Sequence, residues 1–229
     1  ALLEPLQHWI SSDFNGHYLP GRRSIAVIVE KLGPHGAVAL AKALTPENAI
    51  VANKMSELIA RHGDDESKRV ASENLAKTAK SLGKNIRPDF WKAMGSICGE
   101  PIRRFTLDFV GQHNGEVESQ QNGLICIFTG GTGTGCGEGC TQPGDFDGLF
   151  SVAEDERQDE RIRAAAYDAL REHGNAELST RFLKMIDDQD ARYRATGIDI
   201  AVHLGGAKVV VPALEQIGSR RDPWPWMHK

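Results

Sequence analysis

Long hydrophobic runs are missing from this 229-residue chain. Its longest apolar stretches, Ile25 to Val29, Leu124 to Phe128 and Val209 to Leu214, fall far short of the roughly 18 residues that a bilayer-spanning helix requires, so membrane insertion by a helix is excluded. An excess of positive charge is missing too. Lysine and arginine number 27 against 31 acids, a net charge of -4, which gives no global attraction for a phosphate backbone and removes nucleic acid as an expected partner. Strand-like alternation is almost absent. There is no HExxH and no GxSxG, the glycine-rich stretch does not end in Lys-Ser/Thr, and no GxGxxG stands between a strand and a helix. Neither a cofactor nor a nucleotide is therefore expected, and no nucleophile and base stand at a recognisable spacing. What remains is an ordinary globular composition, 40 % hydrophobic and 25 % charged with 24 glycines, long enough for one long domain or two short ones.

Apolar residues recur at helical spacing nearly throughout, as in Ile50, Met55, Leu58 and Ile59 and again in Ile162, Ala166, Ala169 and Leu170. Thr45-Pro46-Glu47 combines an N-cap, a proline at the first helical position and an acid in the first turn. Gly33, Gly63, Gly83, Gly99, Gly174 and Gly205 follow apolar stretches as C-caps. The pattern predicts an all-α chain, with helices over 2–12, 23–33, 35–44, 46–62, 65–82, 87–98, 101–113, 116–129, 156–173, 176–188, 191–204 and 207–218. Trp9 and Trp91, inside helical patterns, read as core. His62, His113 and His173 fall in last helical turns, where an imidazole meets the negative end of the dipole.

The C-terminal third repeats itself. Asp159-Glu160-Arg161-Ile162-Arg163-Ala164 aligns with Asp190-Ala191-Arg192-Tyr193-Arg194-Ala195 at an offset of 31 residues, and the same offset carries Gly174 onto Gly205. A fixed period of two-helix length marks units that bury their apolar faces only against one another. On these residues, 155–218 resemble the HEAT-repeat family, whose units often open with an Asp, an apolar-Arg pair and small residues. Upstream, Ile102-Arg103 and Arg69-Val70-Ala71 are looser echoes. The resemblance implies an antiparallel helix-pair superhelix with a binding surface, in which Arg163 and Arg194 bridge to an acid of a neighbouring unit; it implies no reaction. The expected organisation is an N-terminal helical array (1–129), a Gly/Cys-rich loop (130–148) and C-terminal HEAT-like repeats (149–229), forming one continuous domain. In the tail, Trp224 and Trp226 beside prolines are expected to cap the last helix pair.

Residues 130–148 hold eight of the 24 glycines and two of the four cysteines. Glycine at 135, 137 and 139 would let Cys136 and Cys140 close a small disulfide ring, while Cys98 and Cys126 lie at the ends of helices expected to be neighbours. Disulfides are favoured over unreactive thiols, and over a zinc site because the paired CxxC spacing is missing. Asp145, Asp147 and Gly148 lack the remaining ligands of a calcium loop and read as a turn after Pro143-Gly144. The mixed charges from Glu154 to Arg161 read as a solvated helix start, with Arg157 paired to Glu160 or Glu154. The chain begins at Ala1 with no methionine and no basic-then-apolar leader, which leaves a trimmed chain and an exported mature product both open; the cysteines tilt the expectation to a periplasmic or secreted protein over a cytoplasmic one.

These readings converge on a non-enzymatic protein-binding solenoid, most concretely an exported inhibitor or immunity-type protein that blocks a secreted enzyme or toxin. Its expected contacts are the concave face and the loop residues Glu138, Asp145, Phe146 and Asp147, whose acids and aromatic ring suit a cationic or metal-bearing cleft. An enzyme using the Gly/Cys-rich loop as a thiol or metal site, and a cytosolic HEAT scaffold, are the alternatives.

Overall fold

The computed structural model describes residues 22–112, 115–130, 136, 139–187 and 191–218. Among them every regular element is helical and none is a strand, the all-α class that the periodicity predicts. The chain divides into two compact units, Ala1–Ala169 and Leu170–Lys229, and the expected boundaries at 129/130 and 148/149 both fall within the first. Trp9, His113, Glu138, Asp190, Trp224 and Trp226 lie outside the described residues.

The helices are α1 (Arg22–Leu32), α2 (Pro34–Lys42), α3 (Ala52–His62), α4 (Asp65–Leu82), α5 (Pro88–Ile97), α6 (Glu100–Val110), α7 (Val117–Leu124), α8 (Phe146–Glu154), α9 (Glu160–His173), α10 (Ala176–Leu183) and α11 (Ala191–Gly218). Proline opens several of them, at Pro34, Pro88 and Pro101, where the missing N–H costs nothing. Asp64 caps α4 by accepting the Ser67 N–H at 2.9 Å, a bond that holds its carboxyl below the ordinary range. Thr45 stands at an N-cap position without capping. Its hydroxyl bonds the Glu47 carboxylate instead, lowering that group's pKa, and Pro46–Val51 forms a 3-10 turn before α3.

In the first unit helices pack on the next in the chain, α1 on α2, α2 on α3, α3 on α4, α4 on α5 and α6 on α7, and on the helix two along, α1 on α3, α3 on α5, α5 on α7, α2 on α4, α4 on α6 and α6 on α8. Leu40, Met55, Ile59, Leu75, Trp91 and Ile102 are fully buried. The Trp91 ring lies 5.6 Å from that of Phe109 and 6.2 Å from that of Phe105, and its Nε1–H donates to Ser119 Oγ at 3.0 Å. Gly123 of α7 packs against the indole, where a Cβ would come within 3.0 to 3.2 Å of three ring carbons.

The C-terminal carbonyls of α6 have no helical N–H to receive, and two buried glutamines supply donors. Gln120 Nε2 reaches Phe109 O at 3.1 Å and Val110 O at 3.0 Å, and Gln158 Nε2 reaches Val110 O at 2.7 Å. Truncating Gln120 to Ala removes a donor from two carbonyls and opens a cavity, whereas Gln158→Ala leaves Val110 O with one amide. Urea denaturation should give losses of about 2 to 3 kcal/mol for Gln120→Ala and about 1 kcal/mol for Gln158→Ala.

The sequence pattern misses α8. Phe-Asp-Gly after Pro143-Gly144 reads as the end of a loop, yet the chain turns helical at Phe146 and buries Leu149, Phe150 and Ala153. It also starts α9 four residues early. Residues 155–159 are not helical, so Arg157 pairs with Asp155 in place of the expected Glu160 or Glu154, and Arg161 pairs with Asp159, each two residues away. Arg163 Nε donates to the Ala153 carbonyl at 3.0 Å.

In the second unit α11 breaks at Gly206 (φ 63°), one residue beyond Gly205, where the sequence repeat places the stop and which is itself helical. Its close approach to α10 depends on two glycines of α11. A Cβ at Gly197 would lie 2.8 Å from Phe182 O, and one at Gly205 2.7 Å from Ser179 Oγ. Phe182, Ile200 and Ala201 fill the space between the helices.

Candidate functional site

The Gly/Cys-rich segment is built on the ends of α5 and α7. Helix α5 crosses α7's continuation at Gly95, where a Cβ would sit 2.6 Å from the Cys126 carbonyl oxygen, so only glycine permits the approach. Helix α5 then stops at Cys98, which itself takes the left-handed conformation (φ 53°) that the pattern assigns to the glycine after it. Helix α7 runs into a wide π-helical turn, Ile125–Thr129, closed by Gly130 N–H on Ile125 O at 2.8 Å. The returning chain takes the turn's last carbonyls: Cys140 N–H donates to Ile127 O at 2.9 Å and Thr141 Oγ1 to Phe128 O at 2.8 Å. Gly139 (φ 75°) makes this possible, since a Cβ there would lie 2.9 Å from Phe128 O.

This return places Cys140 beside the end of α5, and the disulfides are Cys98–Cys140 (Cα–Cα 5.9 Å) and Cys126–Cys136 (Cα–Cα 4.7 Å). The expected pairing, Cys136 with Cys140 and Cys98 with Cys126, is corrected. The helix neighbours were placed rightly, but hydrogen bonding to the π turn carries Cys140 past Cys136 to Cys98. All four sulfurs are consumed, so they do not form the tetrathiolate set that a zinc site would need. Among the described residues no cluster of three His, Cys, Asp or Glu side chains is placed to hold a metal ion. Two disulfides are the chemistry of an oxidising compartment.

Of the residues expected to project from the loop, two are buried. Asp145 ends a 3-10 turn (Pro143–Asp145), accepts the Gln142 N–H on Oδ2 at 2.8 Å and pairs with Arg103, whose Nε lies 2.8 Å from the same oxygen. The contact is ionic without hydrogen-bond alignment at Nε, and the two side chains are 15 % and 12 % exposed, Arg103 first. Phe146 turns into the core. Asp147 is exposed in the first turn of α8. Because α8 begins at Phe146, these three residues belong to a helix start packed on α6, where a Cβ on Gly148 would meet Leu107 Cδ1 at 2.7 Å.

Between α6 and the 3-10 turn lies a half-open depression of about 360 Å³, lined by Glu100, Arg103, Arg104, Leu107, Gly144 and Asp145. The Cys98–Cys140 bond staples its two walls, two residues before Glu100 on one side and four before Gly144 on the other. The Arg103–Asp145 pair joins them again. Of this lining, only Asp145 is among the residues that the sequence marks as a site. Glu100, Arg103, Arg104 and Leu107 lie on one helix, and nothing in their spacing tells that the 143–145 turn folds back beside them. No family model, no curated protein and no solved structure matches the chain.

Proposed function

We propose that the chain is a protein-binding helical-repeat protein that acts in the periplasm or outside the cell and blocks a partner enzyme or toxin. One observation carries this reading: the glycine-rich segment is bonded to two different helix ends, at Cys136 and at Cys140. A contact segment fixed at both anchors has less conformational freedom to lose when it meets a partner. The disulfides support an exported setting, and the packing of helices in the first unit both on the next in the chain and on the helix two along supports an antiparallel helix-pair solenoid of the HEAT kind. A helix-pair stack offers long faces, and the segment anchored at Cys136 and Cys140 adds a contact to them.

The test uses the oxidised chain with a photo-crosslinking residue at Glu138, presented to the exported proteins of its native host. We expect one discrete crosslinked enzyme or toxin, whose activity after purification falls to completion as the chain approaches one equivalent. We further expect Glu138→Lys to weaken that inhibition by roughly tenfold, the effect of reversing one contact charge at a partly desolvated interface. Activity unchanged at saturating chain would overturn the reading.

A further inference from the structure

We infer that the depression between α6 and the 143–145 turn is a carboxylate-binding pocket, which receives an acidic side chain or a chain terminus of a partner protein. The inference rests on the protein-binding reading for the source of its ligand, but not for the pocket's chemistry.

Charge accounting within the lining leaves Arg104 as its one cation without a partner among the described residues. Asp145 is neutralised by Arg103 and by the Gln142 N–H. Glu100 sits in the first turn of α6, where the helix's free N–H groups compensate a negative charge. Arg104 is exposed and makes no ion pair with any described residue, although Glu100 and Asp108 stand four residues to either side of it. Elsewhere Arg69, Arg157, Arg161 and Arg171 are each paired with a carboxylate. An uncommitted guanidinium beside a second, anchored one offers the planar fork of donors that matches a carboxylate in bidentate fashion. Leu107 supplies the apolar floor against which the methylene stem of a glutamate, or the side chain of a terminal residue, would pack.

The pocket is also preformed. Its walls are joined by a covalent bond and an ion pair, so binding need not first order them. Gly144 leaves one wall open: a Cβ there meets no atom within 4 Å, and its φ is not positive, so a larger residue is accommodated and would fill the depression. This gives a blocking variant that leaves the packing untouched.

The experiment is an NMR titration of the oxidised, 15N-labelled full chain with three small probes. N-acetylglutamate N-methylamide carries only a side-chain carboxylate, N-acetylleucine only a terminal one, and N-acetylglutamine N-methylamide neither. We expect saturable shifts of the Arg104 Nε–H and Gly144 amide signals with a carboxylate probe and none with the glutamine probe. The tighter of the two carboxylate probes identifies the source. Affinity should fall roughly tenfold or more in Arg104→Gln and vanish in Gly144→Trp. An equal response to the glutamine probe, no response to either carboxylate, or unchanged affinity in Arg104→Gln would overturn the inference. The two readings fail separately. Crosslinking and inhibition unaffected by Arg104→Gln and Gly144→Trp would sink the pocket's role and leave the inhibitor reading standing. Carboxylate binding by a chain that inhibits nothing would do the reverse.

Discussion

Replacing Cys98 and Cys140 together by serine should lower the unfolding free energy by about 4 kcal/mol, and replacing Cys126 and Cys136 by about 3 kcal/mol, on the loop-closure entropy that each bond removes from the unfolded chain. The ordering follows from sequence separations of 42 and 10 residues. Urea denaturation followed by far-ultraviolet circular dichroism measures both. The larger loss also carries a functional signature, because Cys98–Cys140 joins the two walls of the carboxylate pocket whereas Cys126–Cys136 ties the glycine-rich segment to the π turn. Carboxylate affinity should therefore drop in the first double variant and persist in the second. Position 98 supplies an internal control. Its left-handed backbone (φ 53°) is costly for any residue with a Cβ, so glycine at 98 in the Cys140→Ser background should recover about 1 kcal/mol relative to serine. Equal losses for the two pairs, or no recovery with glycine, would show that the folded frame, and not the unfolded chain and the cap, sets the effect.

Much of the frame could be read from the sequence because it depends on local signals. Gly33 and Gly83 close helices in the left-handed region, and Trp91 lies in the core as its helical pattern requires. The break of α11 at Gly206 falls one residue past the Gly205 that the 31-residue repeat marks as a stop. What escaped depends on contacts distant in the chain. Cysteine pairing cannot be deduced from spacing alone, and here it turned on which backbone groups satisfied the carbonyls of Ile127 and Phe128. Asp145 and Phe146 looked like projecting contacts because proline, glycine and aspartate mark a turn; that the turn leads into α8 and folds onto α6 is set by Arg103 and Leu107, some forty residues earlier. The depression escaped for the same reason. Its walls are far apart in sequence and its unspent charge, Arg104, sits amid i, i+4 partners that it does not use.

Trp91→Ala should be the most damaging single substitution in the first unit, costing about 3 to 5 kcal/mol through lost burial and the cavity left behind. The indole is fully buried, stacks near Phe105 and meets Phe109 of α6 at a tilt, and touches Gly123 of α7. It thus joins the helix that ends in Cys98, the helix that carries Arg103 and Arg104, and the helix whose continuation holds Cys126. Trp91→Phe keeps most of the apolar contact but gives up the Nε1–H bond to Ser119, and should cost about 1 to 2 kcal/mol. Gly123→Ala approaches the same contact from the other side: its Cβ would press within 3.2 Å of the ring and force α5 and α7 apart. Because Gly95 and Cys126 touch farther along the same pair of helices, that separation should also loosen the anchored segment. Gly123→Ala in the Trp91→Phe background should cost less than in the native one, since a ring smaller than the indole fills that space. Denaturation of the four combinations measures this coupling, and strictly additive losses would mean that position 123 acts on something other than the indole.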